Sequence, residues 1–243
     1  MKIHLMADLH IEGGYPKWPD VDADLCVLAG DIGVAAKPRL YKTFLEGIKK
    51  NFRHVILVLG NHEFYHGKYE DTLVTMKQMC DELGIHLMDV ELGTDNLQLD
   101  GVTFWGSTLW TDLKENDWFV RQKAKNSIND FHAIDNFGVQ RALDLHLKTV
   151  ERINWDADVV ITHHMPILRK HTRFEIDDIT YAFNCTTLEQ KIRDAKIKYW
   201  LYGHTHDNRG PEDLDGTIIV TNQAGYSGER MGTQYNSKFL IEV

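Results

Sequence analysis

The sequence has few cysteines, no long apolar run and no excess of positive charge, and each of these absences excludes a class of protein. Its three cysteines, Cys26, Cys80 and Cys185, lie far apart and include no Cys-x-x-Cys pair. An odd number of scattered cysteines indicates neither a disulfide framework nor a thiolate zinc site. We therefore expect all three to serve packing.

The absence of a long apolar run and the excess of acidic residues exclude further classes of protein. No apolar stretch approaches the ~20 residues that a membrane-spanning helix needs. The amino terminus runs straight into a polar motif, so a cleaved leader is not expected, and we expect a cytoplasmic protein without a membrane partner. A formal net charge of −9 disfavours a broad basic groove for long nucleic acid. Small phosphate esters fit this balance better.

Short apolar runs alternate with amphipathic segments along the chain, which is typical of an α/β fold. The spacing predicts helices over residues 38–51, 69–83, 137–153 and 186–193. It predicts strands over residues 3–6, 25–29, 55–59, 85–88, 97–99, 102–105, 159–162, 199–202, 217–220 and 239–243. Asp100-Gly101 indicates a hairpin between two of the strands, and hence an antiparallel part. We expect one domain over residues 1–243, in which two mixed sheets pack as a sandwich flanked by helices.

Five of the predicted strands end in polar motifs made of metal-ligand residue types. Each motif alone could be a solvated strand end or a turn. In α/β sheets, however, ligands bind at the carboxyl ends of the strands, where all five motifs lie. The five motifs are Asp8-Leu9-His10, Gly30-Asp31, Gly60-Asn61-His62-Glu63, His163-His164 and Gly203-His204-Thr205-His206. Five such motifs in one chain predict a metal site.

Two of the motifs repeat a spacing of two residues. In an extended chain, Asp8 and His10 would point to one face, as would His204 and His206. The donors are carboxylate, imidazole and amide groups without thiolate, which suits Mn, Fe, Zn or Ni. The same alternation turns His164 away from His163, so His164 is not expected to be a ligand.

In order and in strand context, the five motifs resemble the signature of the calcineurin-like metallophosphoesterases. The resemblance implies a four-layer α/β/β/α fold and two divalent ions, with manganese or iron preferred over zinc or nickel. It implies that one ion is bound by Asp8, His10, Asp31 and His206, and the other by Asp31, Asn61, His163 and His204. Asp31 would bridge the two ions.

The resemblance also implies a reaction, the hydrolysis of a phosphate ester by a hydroxide that both ions share. Two divalent ions outweigh two aspartates and one hydroxide by one positive charge, so the pocket would attract phosphate although the chain is acidic. His62 is not a ligand in this scheme. Its imidazole is suited to protonate the leaving group as a general acid, with orientation of Asn61 or of a phosphate oxygen as the alternative. Glu63 has two open interpretations, a structural role or a contact that holds His62.

The substrate is the least constrained part of the prediction. We expect a phosphodiesterase acting on a small or nucleotide-like diester, with Trp110 of the unassigned segment 105–135 as an aromatic wall. Arg169, in the basic run 169–173, is the candidate for phosphate contact, although a solvated loop explains that run equally well. The alternatives are a phosphomonoesterase and a binding scaffold of the same fold without turnover.

Overall fold

Two mixed β-sheets form the centre of the protein in a computed structural model that describes residues 1–173 and 175–243. The first sheet has the order β11-β1-β2-β3-β4, and the second has the order β5-β6-β7-β8-β10-β9. The strands are β1 (Lys2–Met6), β2 (Leu25–Ala29), β3 (His54–Val58), β4 (His86–Met88), β5 (Asn96–Leu99), β6 (Val102–Ser107), β7 (Val159–Thr162), β8 (Tyr199–Tyr202), β9 (Glu212–Leu214), β10 (Thr217–Thr221) and β11 (Ile241–Glu242).

The strands of each sheet are parallel except at the edges. β11 pairs antiparallel with β1, β5 with β6, and β9 with β10. The predicted hairpin at Asp100-Gly101 is the β5–β6 connection. Because the inner strands are parallel, their carboxyl ends meet at one edge of each sheet.

Alternation of side chains along the strands builds the sandwich. Leu25, Val27 and Ala29 of β2 join a cluster that also contains Val159 and Leu201 of the second sheet, so this cluster lies between the two sheets. The intervening residues of β2 lie in a different cluster, on the face that packs against helices. Period-two alternation with both faces apolar is the pattern expected for strands covered on both sides.

Helices cover the outer faces. The larger ones are α1 (Pro38–Asn51), α2 (Tyr69–Leu83), α4 (Trp118–Ser127) and α6 (Val139–Arg152), and the shorter ones are α3 (Leu113–Asn116), α5 (Asp130–Ala133) and α7 (Glu189–Asp194). The predicted fold class, two mixed sheets with flanking helices, is confirmed. In the described ranges, no helix combines the length and the apolar character needed to cross a membrane.

Glycines let the loops after β2 and β3 approach each other closely. A Cβ atom on Gly60 would lie 2.2 Å from Oδ1 of Asp31, and one on Gly30 would lie 2.3 Å from Nδ1 of His163. Gly30 also has a φ of 88°, a left-handed value that glycine adopts without strain. Both positions therefore need glycine, because a side chain at Gly60 would collide with Asp31 and one at Gly30 would collide with His163.

The carboxylate of Glu63 joins these two loops from beneath. Its oxygens accept hydrogen bonds from the backbone N–H groups of Asp31 (3.0 Å), Ile32 (2.8 Å), Gly33 (3.3 Å) and Gly60 (2.7 Å). Tyr41 of α1 donates its hydroxyl at 2.8 Å. Burial, and then the nearby Asp31 carboxylate, raise the pKa of Glu63 to about 7, against the hydrogen bonds from Tyr41 and Gly60, which lower it. Since these contacts are to the loops and not to the imidazole of His62, Glu63 has the structural role.

We expect Glu63→Ala to destabilise the fold strongly, because five buried donors lose their acceptor. Each unsatisfied buried donor costs on the order of 1–3 kcal/mol, so the free energy of unfolding should fall by about 3–5 kcal/mol after relaxation. Urea unfolding of chelator-treated protein measures this loss without a contribution from bound metal. The control is Glu82→Ala, whose carboxylate is exposed beside Lys42. Equal stability of the two variants would contradict the role of Glu63.

Candidate metal centre

The residues of the polar motifs meet at the carboxyl ends of the strands, but their backbone is not extended. The prediction that Asp8 and His10, or His204 and His206, share a face because the chain is extended is wrong. Five of the motif residues have left-handed φ values, namely Asp8 (53°), His10 (43°), Asp31 (51°), His204 (74°) and His206 (50°). Such values cost roughly 1–3 kcal/mol each, and they cluster at functional sites. The loops turn sharply at these residues, and the turns bring the side chains together.

A first cluster consists of Asp8, His10 and His206, all of them buried. The Nε2 atoms of the two imidazoles face each other at 3.0 Å, and Nε2 of His206 lies 3.4 Å from Oδ1 of Asp8. Oδ2 of Asp31 is 3.9 Å from Nε2 of His10, on the side toward the second cluster.

The second cluster consists of Asp31, His163 and His204. Nε2 of His163 lies 3.4 Å from Oδ1 of Asp31 and 3.1 Å from Nδ1 of His204. Oδ1 of Asn61 completes the group at 3.0 Å from Nε2 of His163. All seven predicted ligand residues therefore lie in two adjoining groups, with Asp31 between them.

The donor atoms fit two metal ions. Nδ1 of His163 lies 2.9 Å from the carbonyl oxygen of Ala29, so this nitrogen carries the proton and Nε2 presents a lone pair to the cluster. Lone pairs that face each other at this range repel unless a cation lies between them. Two ligand atoms that are each ~2.1 Å from one ion, at right angles, are separated by about 3.0 Å. The facing nitrogens of both clusters have this spacing.

The charges of the clusters also favour the binding of metal ions. In the described part of the chain, the ion pairs of Asp8 and Asp31 are all with histidines. Burial lowers the pKa of His163, but the Asp31 carboxylate raises it to about 10 overall. Burial likewise opposes protonation of His206, and hydrogen bonding and charge from Asp8 and Glu229 raise its pKa to about 9. The site thus favours positive charge between its carboxylates, which metal ions supply.

His62 lies at the mouth of the two clusters, at the wall of a cavity of about 600 Å³. Its Nε2 is 3.0 Å from the hydroxyl of Tyr226, and its ring stacks on Tyr65 with centroids 4.1 Å apart. Its backbone N–H donates to Oδ1 of Asp31 at 2.8 Å. Burial lowers the pKa of His62, but the carboxylates of Asp31 and Glu12 raise it overall. These carboxylates favour the protonated form of the imidazole, which lines the cavity.

Two carboxylates that sequence reasoning missed orient the ligands. Nδ1 of His206 lies 2.7 Å from Oε2 of Glu229, which leaves Nε2 for the cluster. The Asp130 carboxylate accepts from Nδ2 of Asn61 at 2.8 Å and from the Tyr65 hydroxyl at 2.7 Å, which turns Oδ1 of Asn61 toward His163. Asp130 belongs to the unassigned segment 105–135, which was expected near the site. No motif marks Glu229, which follows the last ligand by 23 positions.

The cavity corrects the prediction for Trp110. That indole is 3% exposed and packs among Phe64, Tyr69 and Phe137, in the core and away from the cavity lining. Trp110 is therefore not a substrate wall. The segment contributes Ser127, Ile128, Asn129 and Asp130 to the lining instead, and Tyr65, Phe183 and Tyr226 are the aromatic residues there.

Arg169 lines the cavity, but its guanidinium is occupied. It pairs with Glu189 at 2.8 Å and with Glu212 at 2.6 Å, and its remaining donor capacity goes to the carbonyl oxygen of Leu168. These hydrogen bonds to Glu189 and Glu212 raise the pKa of Arg169. Because two carboxylates neutralise it, the structure gives no support to the predicted contact of Arg169 with phosphate.

The ring of His164 packs against that of His204, with centroids 4.1 Å apart, but His164 is not among the grouped donor residues of either cluster. Its Nδ1 is 3.2 Å from the carbonyl oxygen of Thr108, and its ring packs beside Trp110. Burial lowers the pKa of His164 to about 3, so the ring is a neutral core residue.

Comparisons with known proteins agree with this geometry. The sequence profile of the calcineurin-like phosphoesterase family matches residues 1–208. An uncharacterised protein of Acanthamoeba polyphaga mimivirus is 29% identical over 242 residues, which cover 89% of this chain and 82% of that protein.

Two solved structures share the fold at low sequence identity. Phosphopantetheinyl hydrolase from Mycobacterium tuberculosis has a TM-score of 0.70 at 18% identity, covering 100% of this chain and 95% of that one. A dimetal phosphatase from Danio rerio has a TM-score of 0.53 at 15% identity, covering 93% and 88%. At these identities the likeness concerns the fold alone.

We expect Glu229→Gln to weaken metal binding, because His206 loses the carboxylate that orients its ring and makes Nε2 more basic. Loss of such a partner typically reduces metal affinity by about 10–100-fold. Competition with a chelator, followed by metal analysis, measures the change. The matched control is Glu175→Gln, an exposed lining glutamate that pairs with Lys170. An unchanged affinity in Glu229→Gln would contradict the orienting role.

Proposed function

Because this chain belongs to the calcineurin-like phosphoesterase family of metal-dependent hydrolases, we propose that it is a dinuclear phosphodiesterase acting on small or nucleotide-like diesters. The observation that carries the proposal is the pair of adjoining clusters, with Asp31 between them, at the wall of one cavity. A dinuclear centre is typical of the family, and seven donor residues are available here to hold it.

In this proposal one ion is held by Asp8, His10, Asp31 and His206, and the other by Asp31, Asn61, His163 and His204. When bound, two such ions make water nucleophilic at neutral pH and neutralise charge on the phosphate oxygens. Carboxylate, imidazole and amide donors without thiolate favour manganese or iron for this pair of sites.

The contribution of His62 is to give a proton to the departing alkoxide. The ring lies between the clusters and the cavity, where a bound ester would present its leaving group. Tyr65 fixes the plane of the ring, and the Tyr226 hydroxyl at 3.0 Å from Nε2 marks the position that a polar oxygen occupies there. Proton donation by a positioned imidazole typically contributes about 10²–10⁴-fold in rate.

The charges around the cavity favour a diester over a monoester. A monoester carries about two negative charges at neutral pH, one more than a diester, and benefits from unpaired cations. Three of the four described lysine and arginine residues of the lining pair with carboxylates, Arg169 with Glu212, Lys170 with Glu175, and Arg173 with Glu229, and the fourth, Arg209, donates to the carbonyl oxygen of Lys170. Apolar lining by Ile128, Met165, Ile179 and Phe183 suits the second ester group of a diester.

Two alternatives remain as competing hypotheses. A phosphomonoesterase would use the same centre, and the substrate comparison below separates it from the diesterase. A scaffold without turnover would need no proton donor beside the clusters, and the arrangement of His62 argues against it. Metal analysis together with a diester assay distinguishes scaffold from enzyme, and Asp31→Asn should lose both metal and turnover in an enzyme.

We expect His62→Ala to keep its metal content and to lose about 10²–10⁴-fold in kcat, because the leaving group departs unprotonated. The loss should shrink with p-nitrophenyl esters, whose leaving group needs little protonation. The measurement is kcat for a series of diesters with leaving groups of increasing pKa. His132→Ala, a change at an exposed histidine, is the control. A loss that is equal across the series would show that His62 does not act as the general acid.

We expect a higher kcat/KM for bis-p-nitrophenyl phosphate than for p-nitrophenyl phosphate at the same metal loading. Glu212→Gln should move the ratio toward the monoester, because it leaves the Arg169 cation with one carboxylate partner fewer. Glu82→Gln, far from the lining, should leave the ratio unchanged. Preference of the unmodified enzyme for the monoester would reverse the substrate assignment while leaving the metal centre intact.

A further inference from the structure

A third cluster of metal-ligand side chains lies outside the dinuclear centre. Asp112 follows β6, His146 is on α6, and Cys185 precedes α7, so three distant parts of the chain meet there. All three residues are buried, and one donor atom from each lies within 4.8 Å of the others. Sγ of Cys185 is 3.8 Å from Oδ2 of Asp112 and 4.0 Å from Nε2 of His146.

The imidazole is held with the correct nitrogen toward the cluster. Nδ1 of His146 lies 3.1 Å from the carbonyl oxygen of Leu109, which places the ring proton on Nδ1 and leaves the Nε2 lone pair facing Cys185. Burial lowers the pKa of His146, so the ring is neutral. A backbone carbonyl that orients a ligating imidazole in this way is usual in metal sites.

The spacing suits a tetrahedral ion. With metal–sulfur bonds of ~2.3 Å and metal–nitrogen or metal–oxygen bonds of ~2.0 Å, sulfur lies about 3.5 Å from the other donors. The observed separations of 3.8 and 4.0 Å exceed this by a few tenths of an ångström. The hydroxyl oxygen of Thr187 lies 3.7 Å from the same sulfur.

The balance of charge favours a divalent cation. Oδ2 of the buried Asp112 accepts from the backbone N–H of Thr186 at 2.9 Å and from its hydroxyl at 2.6 Å, and neither donor carries a full charge. One thiolate, one carboxylate and one neutral imidazole give a zinc ion a neutral site, which burial tolerates. Burial raises the pKa of Cys185 to about 12, so without a cation the thiol stays protonated.

We propose that Asp112, His146 and Cys185 bind a structural zinc ion that is separate from the dinuclear centre. On binding, the Cys185 thiol releases its proton to solvent and the sulfur forms a bond to zinc, with no change in oxidation state. Thiolate with imidazole and carboxylate is a donor set typical of zinc. This assignment adds to the packing role of Cys185, which lies in a hydrophobic core cluster, and it does not depend on the proposed activity.

The ion would stabilise the wall of the cavity from the side that faces the core. The backbone N–H of Cys185 donates to the carbonyl oxygen of Met165 at 2.9 Å, and Met165 and the neighbouring Asn184 both line the cavity. On the other side, Asp112 stands between left-handed residues at Trp110 and Leu113. The zinc ion would therefore connect the strained loop after β6 and helix α6 to the cavity wall.

Cobalt substitution tests the proposal with a signal that the dinuclear centre cannot give. A thiolate ligand to Co²⁺ produces sulfur-to-metal charge-transfer absorption in the near ultraviolet, and the seven residues of the main centre include no thiolate. We expect the intact protein, loaded with Co²⁺ and dialysed, to show this absorption, and added Zn²⁺ to abolish it. Metal analysis should give one equivalent per chain beyond those of the dinuclear centre.

The other two cysteines are matched controls, because both are buried and neither lies in the cluster. Cys185→Ser should lose the charge-transfer absorption and one metal equivalent, whereas Cys26→Ser and Cys80→Ser should keep both. If Cys185→Ser does not fold, the spectrum of the unmodified protein decides alone. Absence of the absorption from fully cobalt-loaded, folded protein would overturn the proposal and leave a hydrogen-bond network of Cys185, Asp112 and Thr186.

Discussion

The carboxylate of Glu63 is the contact on which the geometry of the centre depends. It collects four backbone N–H groups from the loops after β2 and β3, and Tyr41 ties it to the covering helix. Asp31 and Asn61 are therefore held at one separation. A second carboxylate, Asp8, does the same between the sheets, since it accepts the backbone N–H of His204 at 2.9 Å. The loops converge because buried anions satisfy donors that would otherwise be unpaired.

The same arrangement explains why the site needs cations. The imidazole lone pairs that face one another in the two clusters repel, and the ion-pair partners of the buried Asp8 and Asp31 carboxylates in the described ranges are all histidines. Ions between them remove this repulsion, so metal binding and native stability are linked. Glu229 and Asp130 add a layer of oxygens that fixes which atom of His206 and Asn61 faces the ion. Binding energy is thus spread well beyond the residues that would touch the metal.

The wall of the cavity shows how residue type can mislead about role. The sequence suggested Arg169 as a phosphate contact, but its ion pairs with Glu189 and Glu212 connect α7 to β9 instead. Cys185 packs in the core as expected, and it also lies in a cluster with Asp112 and His146 that the sequence did not indicate. Both cases arise because the partners are distant in sequence, and a side chain acquires its function from the charges around it.

The sequence by itself predicted most of the strands, four of the helices and the polar motifs at the strand ends, whereas the choice of seven ligands came from the resemblance of those motifs to a family signature. It could do so because apolar periodicity marks strands, and because parallel strands bring their carboxyl ends to a common edge. The convergence within each Asp-x-His or His-x-His motif was predicted for a wrong reason, since the left-handed turns at Asp8 and His206 depend on contacts with other loops.

Only the tertiary structure decided the rest. It placed Trp110 in the core, assigned Glu63 to the loops, and brought Glu229 to His206 and Asp130 to Asn61. It also joined Asp112 to Cys185 across 73 positions. Apart from the contact of Glu63 with Gly60, three positions away, none of these contacts has a local signature, because each forms between segments whose separation in sequence is unrelated to their distance in the fold. The periodicity of apolar residues indicates which face of a helix or strand is buried. The packing of the two sheets decides which residues meet on that face.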